Sequence, residues 1–334
     1  MGIPAFFDRF PKLPSGDGAV YLAPQLQGRI FASLDGELLH RFDAELAQNP
    51  SPDDFNNLGG NSLWPAPEGG EFAFNYPANG SPWRVQPGIN SAVSKLSSDG
   101  TAMSRTIALE NRKGVRSELL HLREVSIRSG FGAEYGLKEI VYSSRDTLRL
   151  TVPLPADSFL VSAWSLEQFD LGENITAFGT LATGTKLNGD FYGDIAPNTR
   201  YVPGGFVFKL AGDEKLQIGV PESAGCTMIG AWLPERELVI LRRIVGCGEG
   251  RRINFADNEQ PGGVFSAADA YSVFYGAGAK FFELETLAPV QFDAGLRTTG
   301  SVLESETHFY RGGCKQIAAM LKDKFNFNME VLYE

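Results

Sequence analysis

Short apolar runs separated by turn residues are the dominant pattern along the chain. In the first half, runs rich in Val, Ile, Leu, Thr and Tyr occupy 103–110, 115–121, 123–128, 137–143, 147–152 and 158–164. Within 147–152, apolar residues alternate with polar ones, which is the period of a strand with one apolar face. Residues 205–311 repeat this pattern, and residues 19–34 contain two runs that predict a hairpin. The chain is therefore predicted to form well over a dozen antiparallel strands.

Two segments have helical spacing instead. Apolar residues three and four apart predict a short helix over 37–48, which Asn49 and Pro50 would end. Near the C-terminus, Ile317, Met320 and Leu321 share one side of an amphipathic helix within 312–327, which we expect to pack across a sheet end.

The arrangement of these elements predicts the fold class. No repeat of fixed period is visible, which disfavours a propeller or solenoid. No Pro/Ser-rich or charge-biased linker occurs between 140 and 210. We therefore expect residues 1–334 to form a single all-β domain, a two-layer sandwich of large sheets with a few short helices.

Composition and charge exclude several classes of partner. The chain has 334 residues, 43% of them hydrophobic, which is ample material for a packed core. Its formal net charge of −10 disfavours a nucleic-acid partner, because such a partner needs a basic surface. No run approaches the roughly 18 apolar residues of a membrane span, so no membrane partner is expected. The oligomeric state is left open.

The cysteines and the N-terminal segment bear on location. The three cysteines form no CxxC pair, as is typical of reduced thiols, and Met1–Gly18 lacks the basic start and apolar run of a signal peptide. A cytoplasmic protein is therefore expected. A chain from which a signal peptide had been removed would instead be periplasmic or secreted.

Common cofactor and metal motifs are absent from the sequence. The glycine-rich segments 246–250 and 276–280 lack the spacing of phosphate-binding loops. The three histidines lack HxH and HExxH spacing, and no GxSxG occurs. We expect no cofactor and no metal, although a carboxylate-rich calcium site would leave no spacing signature.

The segment 59–83 combines aromatic rings with amides and carboxyls. Trp64 and Trp83 lie among Gly, Pro and Asn residues, together with Asn61 and Glu68. A sugar stacks its C–H face on an aromatic ring while its hydroxyls need fixed donors and acceptors. The segment is therefore interpreted as a sugar-binding loop, and the alternative is that its aromatics cap the core.

Two further segments place candidate residues near strands. Trp164, Glu167 and Gln168 follow an apolar strand, at an end where a loop would border a pocket, or Glu167 is a surface carboxylate beside a core tryptophan. Glu283 and Glu285 lie two apart and so face the same side of a strand. That side of the strand faces either solvent or a cavity. In a cavity, the pKa values of the two carboxyls would be shifted into a range suited to general acid–base catalysis.

These segments, in this order, resemble the galactose-mutarotase-like superfamily, the relatives of aldose 1-epimerase, and more closely an uncharacterised bacterial branch of it. The matching pieces are APQLQGRIFAS (23–33), GGNSLWPAPEGG (59–70), SAWSLEQFDL (162–171), FELETLAPVQFDAG (282–295) and ESETHFYR (304–311). The resemblance implies a β-supersandwich with a sugar site on a concave sheet face. It also implies that Arg29 is a pocket arginine and that Glu285, or Glu283 in its place, is the base of a mutarotation.

The sequence departs from the family at both pocket histidines. The family's acid lies in an Asn-His-x-Tyr-Phe context where this chain reads SLEQFDL, and its second histidine lies in Leu-His-Gly-Gly where this chain reads LGGN (58–61). Either Glu167, His121 or His308 supplies the acid, or the site binds a sugar without epimerising it.

Three hypotheses about function follow. The first is a carbohydrate-binding protein whose pocket is built from Arg29, Asn61, Trp64, Glu68, Trp83, Trp164, Gln168, Glu283 and Glu285. The second is an aldose epimerase in which Glu285 is the base and His308 or Glu167 the acid. The third is a non-catalytic structural or interaction module, which would have no pocket lined by these residues.

Overall fold

The computed structural model describes residues 2–51, 54–77, 82–90, 93–257 and 262–332. Its strands are β1 (Lys12–Ser15), β2 (Gly18–Ala23), β3 (Arg29–Leu34), β4 (Glu37–Leu38), β5 (Gly60–Ala66), β6 (Lys95–Leu96), β7 (Ala102–Glu110), β8 (Arg116–Arg128), β9 (Lys138–Pro155), β10 (Ser162–Asp170), β11 (Thr176–Thr180), β12 (Thr199–Val202), β13 (Gly205–Lys209), β14 (Leu216–Pro221), β15 (Ile229–Leu233), β16 (Leu238–Cys247), β17 (Asp269–Gly276), β18 (Phe281–Leu287), β19 (Gln291–Phe292) and β20 (Arg297–Arg311). Its helices are α1 (Ala44–Gln48), α2 (Pro87–Asn90) and α3 (Cys314–Phe325), and short 3-10 turns join several strands.

The strands form two antiparallel sheets. The first has the order β1-β2-β3-β5-β10-β18-β17-β14, with β4 beside β3. The second has the order β12-β13-β11-β15-β16-β20-β9-β8-β7-β6, with β19 beside β20. The all-β class and the pair of large sheets are confirmed.

The main apolar core lies between the two sheets. Leu284 and Ile218 of the first sheet share it with Ile140, Ile240 and Phe309 of the second. Alternation along each strand sends the neighbouring side chains to the outer faces. The outer face of the first sheet is the one that carries the candidate site.

Helix α3 covers the outer face of the second sheet. Ile317, Met320 and Leu321 are buried there, as predicted, and pack with Val239 and Tyr310. The helix therefore lies on a sheet face and not across a sheet end, because the outward side chains of the second sheet are themselves apolar. No helix in the described ranges has both the length and the apolar character that a membrane crossing needs.

The helix predicted over 37–48 is shorter than its spacing suggested. Only Ala44–Gln48 is helical, and Asp43 caps it by accepting a hydrogen bond from the Leu46 backbone N–H at 2.9 Å. The preceding residues form β4 and then bury Leu39 and His40 against the first sheet. Tertiary burial overrides the local helical spacing here.

Several predicted strand pairs are single long strands. The runs 115–121 and 123–128 join in β8, and 137–143 and 147–152 join in β9. The break after residue 121 and the polar residues 144–146 suggested turns. In the structure Arg123 donates to Asp146 at 2.6 Å in the buried space between the sheets, so these polar positions continue the strands.

Candidate functional site

Strand register brings the candidate residues onto one face of the first sheet. Gln168 of β10 lies directly opposite Glu283 of β18, and Leu166 lies opposite Glu285. On the other side of β18, Phe274 of β17 lies opposite Glu283. Directly opposed residues of antiparallel strands point to the same face. These side chains therefore share the outer face, whereas their chain neighbours point into the core.

A cavity of about 180 Å³ opens on this face. One buried water needs only about 10–15 Å³, so the cavity has room for a small organic molecule. The residues that line it and were candidates from the sequence are Arg29, Trp64, Glu68, Trp83, Trp164, Gln168, Glu283 and Glu285. The other lining residues among those described are Phe55, Ser62, Leu166, Tyr192, Lys215, Gln217, Phe274 and Phe281.

The positions of the tryptophans differ from the sequence interpretation. Trp64 lies in β5, a central strand inside the segment interpreted as a loop. Trp164 and Gln168 lie within β10 and not at its end. The cavity is thus floored by central strands. Strand residues hold their side chains more rigidly than a loop does.

Glu283 and Glu285 form a buried carboxyl pair at the base of the cavity. Glu285 Oε2 accepts hydrogen bonds from Trp164 Nε1 at 3.1 Å and Gln217 Nε2 at 3.4 Å. Glu283 Oε1 accepts one from Gln168 Nε2 at 2.6 Å. Both carboxyls are buried, and neither forms an ion pair with a described residue.

This environment favours protonation of the pair. Burial raises the pKa of Glu285 well above its usual range, and the neighbouring Glu283 charge raises it further. Burial also raises the pKa of Glu283, to about 7. Glu285 Oε2 accepts both N–H groups, and its Oε1 has no hydrogen-bond partner among the described residues. The buried pair therefore holds a proton more tightly than an exposed carboxyl does.

A third carboxyl and several aromatic rings complete the wall. Glu68 accepts a hydrogen bond from Trp83 Nε1 at 2.6 Å, and burial raises its pKa. The rings of Trp64 and Trp164 meet edge to face, with centroids 6.0 Å apart. Phe55 packs edge-on against Trp64 at 5.2 Å. The cavity thus offers ring faces beside carboxyl oxygens.

Two cations also line the cavity. Arg29 is buried, with its guanidinium donating to Gln27 Oε1 at 2.9 Å and to the Gly59 carbonyl, and burial lowers its pKa to about 9. Lys215 lies at the exposed mouth, where its Nζ is 3.5 Å from the centre of the Tyr192 ring. Burial of part of this side chain lowers its pKa.

Glu167 and Asn61 lie on the opposite face of the sheet. Glu167 pairs with Arg242 Nε at 2.9 Å and accepts hydrogen bonds from His40 and Tyr142. Asn61 Oδ1 accepts from Arg123 at 2.9 Å. Alternation along β5 and β10 turns both side chains into the space between the sheets. The expectation that they contact a ligand in this cavity is therefore not met.

The two histidines considered as acids are also outside the cavity. His308 points to the outer face of the second sheet, where it contacts Tyr310 Oη at 2.9 Å and Glu306 at 3.2 Å. His121 is buried beside Asp146 at 3.0 Å, and burial lowers its pKa to about 4. Neither side chain reaches the carboxyl pair. Neither these histidines nor Glu167 is placed to exchange a proton with a molecule in the cavity.

A family model covers nearly the whole chain. The model describes a family of unknown function, DUF6786, and matches residues 12–331. The chain belongs to this family.

Other comparisons add little to this membership. No curated protein matches the chain. Among solved structures, the chain is similar to the crystal structure of 4-alpha-glucanotransferase from Thermococcus litoralis, with 10% identity and a TM-score of 0.34. That match covers 90% of this chain and 37% of the other, and so low a TM-score carries no argument. The resemblance to the mutarotase-like superfamily stays a prediction.

Several cavity residues of this DUF6786 member were missed from the sequence. Gln217 is the lone polar side chain of LQIGV and faces the cavity, as Phe274 does on the next strand. The signal was present, because alternation along β14 and β17 gives the faces. What the sequence lacked was the pairing of these strands with β18. In the described ranges, no cluster of three or more His, Cys, Asp or Glu side chains has the arrangement of a metal site.

Proposed function

We propose that the protein binds a small carbohydrate in the cavity on the outer face of the first sheet. The observation that carries this proposal is the meeting of tryptophan rings with buried hydrogen-bonding groups in one small cavity. Trp64, Trp83 and Trp164 offer apolar faces, and Gln168, Glu283 and Glu285 offer polar atoms beside them. Pockets of this composition suit ligands that are apolar on one face and rich in hydroxyls at the edge.

An unpartnered buried atom supports a ligand of this kind. The Gln168 amide donates to Glu283, but its Oε1 is buried and has no hydrogen-bond partner among the described residues. Leaving such an acceptor unpaired costs about 1–3 kcal/mol. A ligand hydroxyl in the cavity would satisfy it. The reading in which the aromatics belong to a structural module predicts no pocket lined by these residues.

The carboxyl pair favours a second candidate function, an aldose epimerase. Ring opening needs a base that takes the anomeric hydroxyl proton and an acid that protonates the ring oxygen. Glu283, as the ionised member, would accept the first proton, and Glu285 would donate the second. Reclosure on the other face would return both protons. The sequence had assigned the base to Glu285 and the acid to a residue that lies outside the cavity.

A thermal-shift series tests the proposal. Neutral sugars, amino sugars, sugar acids and sugar phosphates would each be added to the whole chain, since a ligand at 100 times its Kd stabilises the fold by about 2.7 kcal/mol. We expect a neutral or amino sugar to raise the Tm, and Trp83→Ala to abolish that shift. Phe265→Ala is the control, because this exposed ring does not line the cavity. The proposal fails if no sugar shifts the Tm at millimolar concentration.

A polarimetric assay with the ligand so found separates the two candidates. Glu285→Gln should retain binding and lose mutarotation if the protein is an epimerase. A wild-type protein that binds the sugar without accelerating its mutarotation is a binding protein.

A further inference from the structure

The charges that line the cavity do not balance. Three carboxyls, Glu68, Glu283 and Glu285, face two cations, Arg29 and Lys215, which leaves one formal negative charge among the described lining residues. Tyr192 adds an uncharged phenol. Behind this part of the sheet, Glu167 is paired with Arg242 and Asp146 with Arg123, whereas the buried Arg105 forms no ion pair with a described residue. A proton retained by Glu283 or Glu285, whose pKa values are both raised by burial, would offset this charge in the free protein.

The polar atoms nearest this excess negative charge are hydrogen-bond acceptors. Gln168 Oε1 is buried without a partner, and Glu285 Oε1 receives no N–H donor from the described residues. Glu283 faces Gln168 across the strand pair, and Glu285 follows two residues later on the same face. Three acceptor side chains therefore occupy adjacent positions of one sheet surface. An ammonium group has three N–H donors and one positive charge, and so matches both the number and the charge.

We propose that the carbohydrate carries a protonated amine, and that its ammonium group donates to Gln168 Oε1, Glu283 and Glu285. This inference rests on the proposed function and narrows it to amino sugars. The aromatic wall supports it, because ring faces attract cations, most strongly where water is excluded. Lys215, which lies over Tyr192 and 5.2 Å from Phe274, shows that rings at the mouth already hold one ammonium.

The exchange has a measurable proton balance. The ammonium arrives with its own proton, both carboxyls become ionised, and any proton that either carboxyl held passes to the buffer. No covalent bond changes. Up to one proton per ligand is released near neutral pH, and none at a pH where both carboxyls are already ionised. Binding weakens as the pH falls, because protonated carboxyls accept less well, and also at a pH high enough to neutralise the amine.

Calorimetry on the full chain tests this directly. Glucosamine, galactosamine and mannosamine are each compared at pH 7 with the parent hexose and with its N-acetyl derivative, in two buffers of different ionisation enthalpy. We expect at least one amino sugar to bind at least tenfold more tightly than both of its neutral counterparts, with proton release. Equal or tighter binding of the neutral sugars overturns this inference and leaves the proposed function standing. Absence of binding by every sugar overturns both.

A variant pair isolates the ammonium contact. Glu285→Gln removes one negative charge and keeps the shape of the side chain. We therefore expect the variant to bind the amino sugar and the parent hexose with about equal affinity. Glu118→Gln removes an exposed carboxyl outside the cavity and should leave the preference unchanged. A Glu285→Gln protein that keeps the full preference contradicts the inference. If that variant does not fold, the wild-type comparison still decides.

Discussion

Glu167 and Glu285 are buried carboxyls on neighbouring strands of the same sheet, with exposed fractions of 0% and 1%. They point to opposite faces. Glu167 pairs with Arg242 and accepts further hydrogen bonds from His40, Tyr142 and Thr307, which hold its pKa down at about 2. Glu285 accepts hydrogen bonds from an indole and an amide but forms no ion pair with a described residue, and its pKa is raised by burial. Burial alone therefore does not determine the chemistry of a carboxyl, because the partner decides it.

The two regions have different consequences for the molecule. The paired cluster between the sheets fastens one sheet to the other, since Arg242 of β16 also donates to the Leu284 carbonyl at 2.8 Å. That carbonyl lies between Glu283 and Glu285 in the chain. The same arginine thus fixes the strand that presents the cavity pair. The cluster joins the two sheets, whereas Glu283 and Glu285 in the cavity form no ion pair with a described residue.

Breaking the paired cluster should have the largest effect. Arg242→Met leaves Glu167 buried without its guanidinium partner, which costs about 3–5 kcal/mol of unfolding free energy. Urea denaturation measures it. Arg243→Met is the matched control. Arg243 is the next arginine along β16, and it forms a long ion pair of 3.8 Å with Glu306 at a partly exposed site. Its replacement should lower the unfolding free energy by less than about 1 kcal/mol. Similar losses for the two variants would mean that the inter-sheet pair contributes little.

Neutralising the cavity pair should have the opposite sign. Glu285 has a raised folded-state pKa, so the folded protein binds more protons than the unfolded chain, and its stability falls as the pH rises through that pKa. Glu285→Gln removes this penalty. At pH 8 we expect the variant to have a higher unfolding free energy than wild type, by on the order of 1 kcal/mol, with a smaller difference at pH 5. Urea denaturation of both proteins at both pH values measures the difference. The prediction is contradicted if the stability gained by the variant over wild type is smaller at pH 8 than at pH 5.

Acid should act on the other region. The pKa of Glu167 is depressed, so its contribution to stability is present above the unfolded-state pKa and is lost as the pH falls through the folded-state value. Wild-type stability should therefore pass through a maximum at moderately acidic pH. On the alkaline side of this maximum, the decrease in stability with pH should become smaller in the double variant Glu283→Gln/Glu285→Gln. On the acid side, the decrease should be unchanged.

The smallest expected effect concerns a single donor. Trp164→Phe keeps a ring in the cavity wall but removes the Nε1–H that Glu285 accepts, which costs about 0.5–1.5 kcal/mol. We expect sugar affinity to fall about two- to tenfold by calorimetry. Trp232→Phe is the control, because that buried indole N–H has no partner among the described residues. A loss of affinity in the control and not in Trp164→Phe would contradict the assignment of the site.

Much of this comparison was accessible from the sequence. The runs predicted the strands, and the spacing of Glu283 and Glu285 placed both on one side of β18. The same alternation implied that Glu167 and Gln168, as neighbours on a strand, face opposite ways. The sequence interpretation put both in one pocket because it placed them beyond the strand end.

Other features depended on long-range pairing. β5 looked like a loop because glycine and proline punctuate it, and its strand character comes from pairing with β10. Lys215 and Gln217 join the site only because β14 pairs with β17, some fifty residues later in the chain. His308 was a reasonable acid by residue type alone, and its position on the second sheet removes it from the cavity.

Glu283 and Glu285 are expected to keep a proton at neutral pH, and NMR of the chain with ¹³C-labelled glutamate side chains measures this most directly. The carboxyl signals would be followed from pH 4 to pH 9 and assigned with Glu283→Gln and Glu285→Gln. We predict a carboxyl that titrates well above the usual range of glutamate and is missing from the spectrum of Glu285→Gln. If every glutamate has titrated by about pH 5.5, the pair is ionised in the free protein and the account is wrong.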